Sequence, residues 1–182
     1  MTEYDDHWIE TYTGRKFHYL QAQLDPDEID IRDIAHALSM QCRFGGHVRH
    51  FYSVAEHSIR VAEQIEDRDE NKLCALLHDA SEAYIPDIPR PIKMDMPYAV
   101  RDMALMIEES IFSKYTNFTA DWGEIKRLDN TLLATEGRDL MDNMDDWAVL
   151  PTPLMSIINP YPSPGFAERR FLQKFVEYGG RA

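Results

Sequence analysis

Histidine and acidic side chains stand where the surrounding sequence is apolar. His78 and Asp79 directly follow Leu76 and Leu77, and Ala80 comes next. A carboxylate at the edge of a packed face is costly unless it meets a cation. Because imidazole and carboxylate groups are both common metal ligands, this segment predicts part of a metal site. For the dipeptide alone, a solvated or Arg-paired surface cluster is the alternative.

Two further positions could complete such a site. His57 lies on the apolar stripe that begins at Val54, and Asp129 shares a predicted helix face with Ile125. A hydrogen-bonded core histidine is the alternative for His57, and an ion pair with Arg127 is the alternative for Asp129. Three predicted helices thus direct imidazole or carboxylate groups inward, without inward cations that could pair with them. This arrangement favours coordination of one metal ion by all of these groups. The predicted metal ligands are His57, His78, Asp79 and Asp129.

The predicted ligand set mixes nitrogen and oxygen donors. Such a set is intermediate in softness, and it suits Co²⁺, Mn²⁺, Fe²⁺, Ni²⁺ or Zn²⁺ better than the all-oxygen surroundings that Mg²⁺ prefers. We therefore expect a divalent transition metal as the cofactor, with Mg²⁺ as an alternative in the presence of substrate.

Two charged residues near the predicted site have types suited to phosphate chemistry. Glu82 follows His78 by one helical turn, where it could orient or deprotonate an attacking water; a solvated carboxylate at a helix end is the alternative. Arg43 offers a planar cationic fork to phosphate oxygens. We expect this contact in preference to the alternative, an Arg that binds carbonyl groups at a helix end.

Helices with an apolar stripe account for most of the chain. Apolar residues recur at the i, i+3, i+4, i+7 spacing of amphipathic helices, and Ser53 with Glu56 forms a capping-box pattern at one helix start. The predicted helices cover residues 31–42, 53–66, 70–84, 98–115 and 121–141, and a last helix contains Phe171, Leu172, Phe175 and Tyr178. We expect an all-α bundle of about six helices. It is preceded, up to about Leu24, by a short irregular arm or a small hairpin.

The charge balance limits the classes of partner. The 182 residues include 19 Lys and Arg against 32 Asp and Glu, a formal charge of −13 that repels duplex phosphates and anionic lipids. The acidic N-terminus lacks the features of a signal peptide, and no apolar run approaches the ~18 residues of a membrane span. We expect a single-domain cytoplasmic protein that binds neither nucleic acid nor membrane.

The order and spacing of the site residues resemble a known family. The predicted ligands are similar to the H…HD…D signature of HD-domain phosphohydrolases. The likeness spans about residues 31–141, and it resembles the small 5′-deoxynucleotidase-like branch in particular. The matching segments are Arg43-Phe, Ala-Glu-His57-Ser, Leu-Leu-His78-Asp-Ala-Ser-Glu82, Asp87-Ile-Pro-Arg-Pro-Ile-Lys93 and Lys126-Arg-Leu-Asp129.

The resemblance implies a fold and a set of residue roles. It implies one helical HD domain over residues 1–182, with one divalent metal held by the four predicted ligands and with Glu82 as a catalytic residue. Asp87 would accept a hydrogen bond from the sugar 3′-hydroxyl, and Phe44, where the bacterial deoxynucleotidases have Trp, would pack against the sugar. The alternatives are that Asp87 only caps the backbone of its own turn and that Phe44 is an ordinary core residue. The residues expected to bind substrate are Phe44, His47, Arg49, Asp87, Arg90 and Lys93.

The resemblance also implies a reaction. HD phosphohydrolases of this branch cleave 2′-deoxynucleoside 5′-phosphates between the α-phosphorus and the 5′-oxygen. Small phage dATP triphosphohydrolases are similar in size and motif layout, and the basic residues suit a triphosphate tail. We therefore expect dATP to give deoxyadenosine and triphosphate, in a homo-oligomer of the cytoplasm, which is the host's if the protein is phage-encoded.

Three alternatives to this reaction stay open. A 5′-deoxynucleotidase acting on monophosphates would cleave the same bond. A non-catalytic nucleotide-binding HD module is more distant, as is a di-iron HD oxygenase that would recruit His47 or His50 as additional ligands.

Overall fold

The computed structural model describes residues 7–20, 24–66, 68–116, 120–147 and 149–181. The acidic segment 1–6, on which the expectation about a signal peptide depends, lies outside these ranges. The described residues are mostly helical, as expected, with one two-stranded sheet. The elements are β1 (Trp8–Glu10), β2 (Lys16–His18), α1 (Ile31–Met40), α2 (Val54–Glu63), α3 (Asp69–Leu77), α4 (Arg90–Asp95), α5 (Tyr98–Tyr115), α6 (Trp122–Leu140) and α7 (Pro164–Glu177).

Residues 8–18 form a hairpin, so of the two expectations for this region the small hairpin is confirmed and the irregular arm is wrong. The antiparallel strands β1 and β2 place Ile9 opposite Phe17. Phe17 is fully buried, and its ring stacks on Tyr84 with centroids 3.9 Å apart. Asp33 of α1 accepts hydrogen bonds from the backbone N–H of Thr13 at 2.6 Å and from its hydroxyl at 2.9 Å. The hairpin is ordered because it has both an apolar anchor and a polar attachment to α1.

The start of α2 confirms half of the predicted capping box. Ser53 Oγ accepts a hydrogen bond from the backbone N–H of Glu56 at 3.1 Å. The Glu56 carboxylate instead accepts from Arg60 at 2.7 Å and from the backbone N–H of Tyr161 at 2.9 Å. The buried Glu56 side chain therefore ties α2 to the segment that precedes α7.

The core lies between α1, α2, α3, α6 and α7. α1 packs against α7, and α2 packs against α3, α6 and α7. The aromatic residues Phe171 and Phe175 of α7 are almost completely buried, as the predicted stripe requires. Because α2 contacts both α3 and α6, side chains from these three helices can meet at one point.

The predicted helix over residues 70–84 is wrong in its second half. α3 ends at Leu77, Asp79 has φ −106° and ψ 16°, and a 3₁₀ turn follows. In a continuing α-helix the carbonyl of Ala75 would accept from the N–H of Asp79. Here the ring Nδ1 of His78 lies 2.8 Å from that carbonyl oxygen. The imidazole therefore bonds to the last turn of α3, and the chain leaves the helix at the predicted ligands.

One short helix near the site lies outside the predicted helices. The proline-rich stretch after the 3₁₀ turn contains α4, and Pro91 suits the first turn of this helix.

Within the described ranges, none of the helices combines the length and apolar character needed to cross a lipid bilayer.

Candidate metal centre

His57 is positioned by a contact between α2 and α6. The imidazole is fully buried, and its Nδ1 lies 2.6 Å from Oε1 of Glu136, which is also fully buried. Since a carboxylate can only accept a hydrogen bond, Nδ1 carries a proton and donates a hydrogen bond to Glu136. Nε2 therefore faces the opposite way, toward Asp129, whose Oδ1 is 3.3 Å away.

His78 presents the same ring nitrogen by a different device. Its Nδ1 donates to the carbonyl of Ala75, which leaves Nε2 as the free position of the ring. The rings of His57 and His78 lie with centroids 5.2 Å apart. Both Nε2 atoms are buried, and neither has a hydrogen-bond partner among the described residues. Two buried, unpartnered ring nitrogens lie side by side, and a metal ion that replaces any proton on them would satisfy both.

Carboxylates complete the group. One ligand atom each from His57, His78 and Asp129 lies within 4.8 Å of the others, so this group could hold a metal ion. Asp79, the remaining predicted ligand, lies beside the group, with its Oδ2 at 3.1 Å from Nε2 of His78 and 3.6 Å from Nε2 of His57. The structure thus brings all four predicted ligands to one place.

The charges of the group reinforce one another. Burial and the Arg43 charge lower the pKa of His57, but Glu136 and Asp129 outweigh both and raise the pKa to about 9. Burial raises the pKa of the Asp129 carboxyl, but the His57 imidazole outweighs it and holds that pKa well below its usual range. Burial likewise opposes the effect of the two imidazoles on Asp79, whose pKa also lies well below its usual range. The carboxylates therefore stay ionised and ready to bind a cation.

Arg43 is an inward cation, which the sequence analysis did not expect in this region. Its side chain is buried, with Nε and Nη2 each 3.2 Å from Oε2 of Glu136 and Nη1 3.6 Å from Oδ2 of Asp79. Arg43 is tolerated in the interior because Glu136 compensates its charge. The predicted phosphate contact would use the Nη1 side of the guanidinium, which faces Asp79.

Glu82 lies within the 3₁₀ turn Ala80–Ala83, and Asp87 lies on the irregular stretch that follows it. Glu82 is buried, its Oε1 is 3.4 Å from Nζ of Lys93, and its Oε2 has no hydrogen-bond partner in the described part of the chain. Burial and the charges of Asp79 and Asp87 raise the pKa of Glu82 to about 8. Burial also raises the pKa of the half-buried Asp87.

Phe44 follows Arg43 in a strained conformation. Its φ of 57° and ψ of 26° place a non-glycine residue in the left-handed region, which is uncommon and is concentrated at functional sites. The ring centroid lies 5.4 Å from the Arg43 guanidinium carbon and 6.0 Å from the centroid of Trp147, which lies on the loop after α6. Phe44 therefore lines the approach to Arg43 and is only half-buried.

Exposed cations surround the carboxylates of the site. Asp129 pairs through Oδ2 with Lys126 at 2.6 Å and with Arg90 at 3.7 Å. Arg127, the alternative partner of Asp129 in the sequence analysis, instead lies 3.7 Å from Glu124. With Lys93 beside Glu82, three cations with half-exposed side chains border the group.

The structure places the other two predicted substrate-binding residues at the surface. His47 is exposed at the end of the 3₁₀ turn over 43–46. Arg49 is also exposed, and its guanidinium donates to Oδ1 of Asp142 at 2.8 and 2.9 Å. Arg49 therefore approaches the loop after α6, whereas Arg90 and Lys93 approach the candidate ligands.

The sequence analysis missed four residues that surround the site. Glu136 carried a signal, because it follows Asp129 by seven residues and so shares its helix face. Lys126 also carried a signal, because it precedes Asp129 by three residues on the same helix. Gln41 and the half-buried Glu108 of α5 had none, because their roles depend on contacts between distant segments. Burial raises the pKa of Glu108, and the nearby Asp79 charge adds to this effect, so its carboxyl also belongs to the surroundings of the site.

Removal of Glu136 should destabilise the protein more than removal of an exposed partner. Glu136→Ala leaves Arg43 buried without its carboxylate, and breaking a buried pair costs about 3–5 kcal/mol. The matched control is Asp142→Ala, which removes the exposed partner of Arg49 and should cost less than about 1 kcal/mol. The free energy of unfolding, measured in urea with metal removed, distinguishes the two variants. Equal effects would show that Glu136 does not compensate Arg43.

The chain is similar to two bacterial proteins, and no protein-family model matches it. It is 39% identical over 171 residues to a protein of Escherichia coli named as the uncharacterized protein YfdR, which covers 92% of this chain and 93% of that protein. It is 37% identical over 93 residues to the uncharacterized protein RCAP_rcc00048 of Rhodobacter capsulatus, which covers 47% of this chain and 46% of that protein. Identity at this level over almost the whole of both chains shows that this chain belongs to the same family as YfdR.

Proposed function

We propose that the chain is a metal-dependent phosphohydrolase that cleaves 2′-deoxynucleoside 5′-phosphates at the α-phosphorus, with dATP as the substrate and deoxyadenosine and triphosphate as the products. The observation that carries this proposal is the buried pair of unpartnered Nε2 atoms beside two carboxylates. The resemblance of the same residues to HD phosphohydrolases supplies the reaction class.

The donor set fits a divalent transition metal. His57 and His78 would each bind through Nε2, because each Nδ1 is occupied by its own acceptor. Asp129 and Asp79 would supply oxygen donors, which gives the mixed set expected for Co²⁺, Mn²⁺, Fe²⁺, Ni²⁺ or Zn²⁺. Such an ion, when bound, lowers the pKa of a water ligand and neutralises charge on a phosphoryl group.

Glu82 is suited to act as the general base. Its carboxyl is buried next to Asp79, and its Oε2 is not engaged by any described residue. A pKa near the working pH is the most effective one for a general base, and burial with the neighbouring carboxylates brings the pKa of Glu82 to about 8. In this role Glu82 would accept the proton of the water that attacks phosphorus.

The cations at the rim favour a polyphosphate tail. Arg90, Lys93 and Lys126 already pair with carboxylates of the site, so their charges lie where the β- and γ-phosphates of a bound nucleotide would extend. Arg43 would contact the α-phosphate, and Phe44 beside it would contact the sugar. The di-iron alternative needs His47 or His50, and both are exposed outside the metal-competent group.

Loss of one imidazole should remove metal and activity together. His78→Ala takes away one Nε2 donor and leaves Asp79 with less positive charge around it, so we expect loss of stoichiometric metal and of turnover. The matched control is His36→Ala, because His36 of α1 is also half-buried and paired, with Glu168 at 3.2 Å. Elemental analysis measures the metal content, and chromatography of the deoxyadenosine and triphosphate formed from dATP measures turnover. Full activity of metal-depleted His78→Ala would refute the metal proposal.

Glu82→Gln should separate metal binding from catalysis. The amide keeps the size of the side chain but cannot accept a proton, so we expect normal metal content and a kcat reduced by about 10²–10⁴-fold. Glu63→Gln, on an exposed part of α2, is the control. A parallel fall of metal content and kcat in Glu82→Gln would instead identify Glu82 as a ligand.

Isotope labelling tests which bond breaks. Attack of water on the α-phosphorus in ¹⁸O-water places the label in triphosphate, and the expected first products from dATP are deoxyadenosine and intact triphosphate. Label in deoxyadenosine, or dADP as the first product, would contradict attack at the α-phosphorus. Ready cleavage of dAMP without cleavage of dATP would identify a 5′-deoxynucleotidase.

A further inference from the structure

Gln41 joins the two segments that carry Glu82 and Asp87. This residue lies at the C-terminal end of α1, and its Nε2 donates to the backbone carbonyl of Glu82 at 2.8 Å and, within its own helix, to that of Ala37 at 3.4 Å. Its Oε1 accepts from the backbone N–H of Asp87 at 3.0 Å. A backbone carbonyl can only accept and an N–H can only donate, so the two partners fix the orientation of the amide.

The backbone of Gln41 is itself attached to the helix that carries His57. Its carbonyl accepts a hydrogen bond at 3.1 Å from the N–H of Val54, the first residue of α2. The amide of Gln41 therefore has a defined place relative to α2. The hydrogen bonds of the amide to Glu82 and Asp87 then fix the segment between these residues relative to α2.

This segment needs an external anchor. The N–H groups of Tyr84 and Ile85 bond back to Ser81, and the following residues 86–89 have no regular structure. Pro86 and Pro89 lack an N–H, so they cannot donate a hydrogen bond that would attach this stretch to its surroundings. The N–H of Asp87 is one of the few donors that the stretch offers, and the Gln41 amide accepts from it.

We propose that Gln41 is a positioning residue that sets the general base Glu82 and the sugar-binding Asp87 at a fixed separation for a 2′-deoxynucleotide substrate. The proposal rests on the proposed function, because it uses the roles assigned there and in the resemblance to these two carboxylates. A single side-chain amide thus couples the rate of hydrolysis, through Glu82, to recognition of the 3′-hydroxyl, through Asp87. A displacement of about 1 Å at a reacting group can cost roughly 10²-fold in rate.

Two substitutions separate the two hydrogen bonds of the amide. Gln41→Met keeps the length of the side chain and loses both bonds. Gln41→Glu keeps an acceptor for the N–H of Asp87 but cannot donate to the carbonyl of Glu82 when ionised. Gln64→Met is the matched control, because Gln64 occupies the corresponding position at the end of α2.

The experiment combines three measurements on the full chain. Hydrogen exchange reports protection of the Asp87 amide, elemental analysis reports metal content, and steady-state kinetics compare dATP with 2′,3′-dideoxyATP, which lacks the 3′-hydroxyl. For Gln41→Met we expect faster exchange at Asp87, unchanged metal content and a kcat/KM for dATP reduced by about 10–10²-fold. The kcat/KM for 2′,3′-dideoxyATP should fall less. The ratio of kcat/KM for dATP to that for 2′,3′-dideoxyATP, which measures the preference for the 3′-hydroxyl, should therefore decrease.

Gln41→Glu should retain protection at Asp87 and the preference for the 3′-hydroxyl while kcat falls. If both substrates lose activity equally in Gln41→Met and exchange at Asp87 is unchanged, Gln41 only fills space and the proposal is overturned. If the unmodified protein hydrolyses no nucleotide, the proposed function fails, and with it the link to the 3′-hydroxyl. The exchange rate at Asp87 then decides separately whether Gln41 holds this segment.

Discussion

A buried carboxylate shared between an imidazole and a guanidinium is the interaction on which the site depends. Glu136 accepts from Nδ1 of His57 through one oxygen and from Arg43 through the other. Without Glu136, neither the direction of the His57 ring nor the burial of Arg43 would have a physical cause. A carboxylate behind a histidine fixes the tautomer and raises the basicity of the ring. The same carboxylate that compensates the buried charge of Arg43 therefore directs Nε2 of His57 toward Asp129.

The second constraint is the end of α3. At this end Nδ1 of His78 donates to the carbonyl of Ala75, in the last turn of the helix, where carbonyl groups lack backbone partners. This bond fixes the ring and leaves Nε2 on the side of His57. The end of the helix also releases the segment that carries Glu82 from α-helical geometry, so contacts from other elements must hold that segment. The direction of the His78 ring and the path of the Glu82 segment thus have a common origin.

Local patterns predicted most of the helices and the inward positions of two candidate ligands, and contacts between distant segments set the limit. The apolar stripes predicted the observed bounds of α5, and the inward positions of His57 and Asp129 followed from the same periodicity. The stripe over residues 70–84 could not reveal the break after Leu77, because apolar periodicity does not show how the His78 side chain bonds to the backbone. The role of Gln41 could not be predicted for a different reason, because its partners Glu82 and Asp87 lie more than 40 residues away in the sequence.

The net negative charge of the protein disfavours binding of an extended anion more than binding of a small one. A duplex requires many cations along a surface, and a chain with a formal charge of −13 does not favour such a surface. A nucleotide requires only a few cations within hydrogen-bond distance, because charges further away than the Debye length of about 8 Å are largely screened. The cations that border the site, Arg90, Lys93 and Lys126, are each held by a site carboxylate. Asp129 and Glu82 therefore keep three cations at the edge of the site, so an acidic protein can present a locally cationic rim to a small anion.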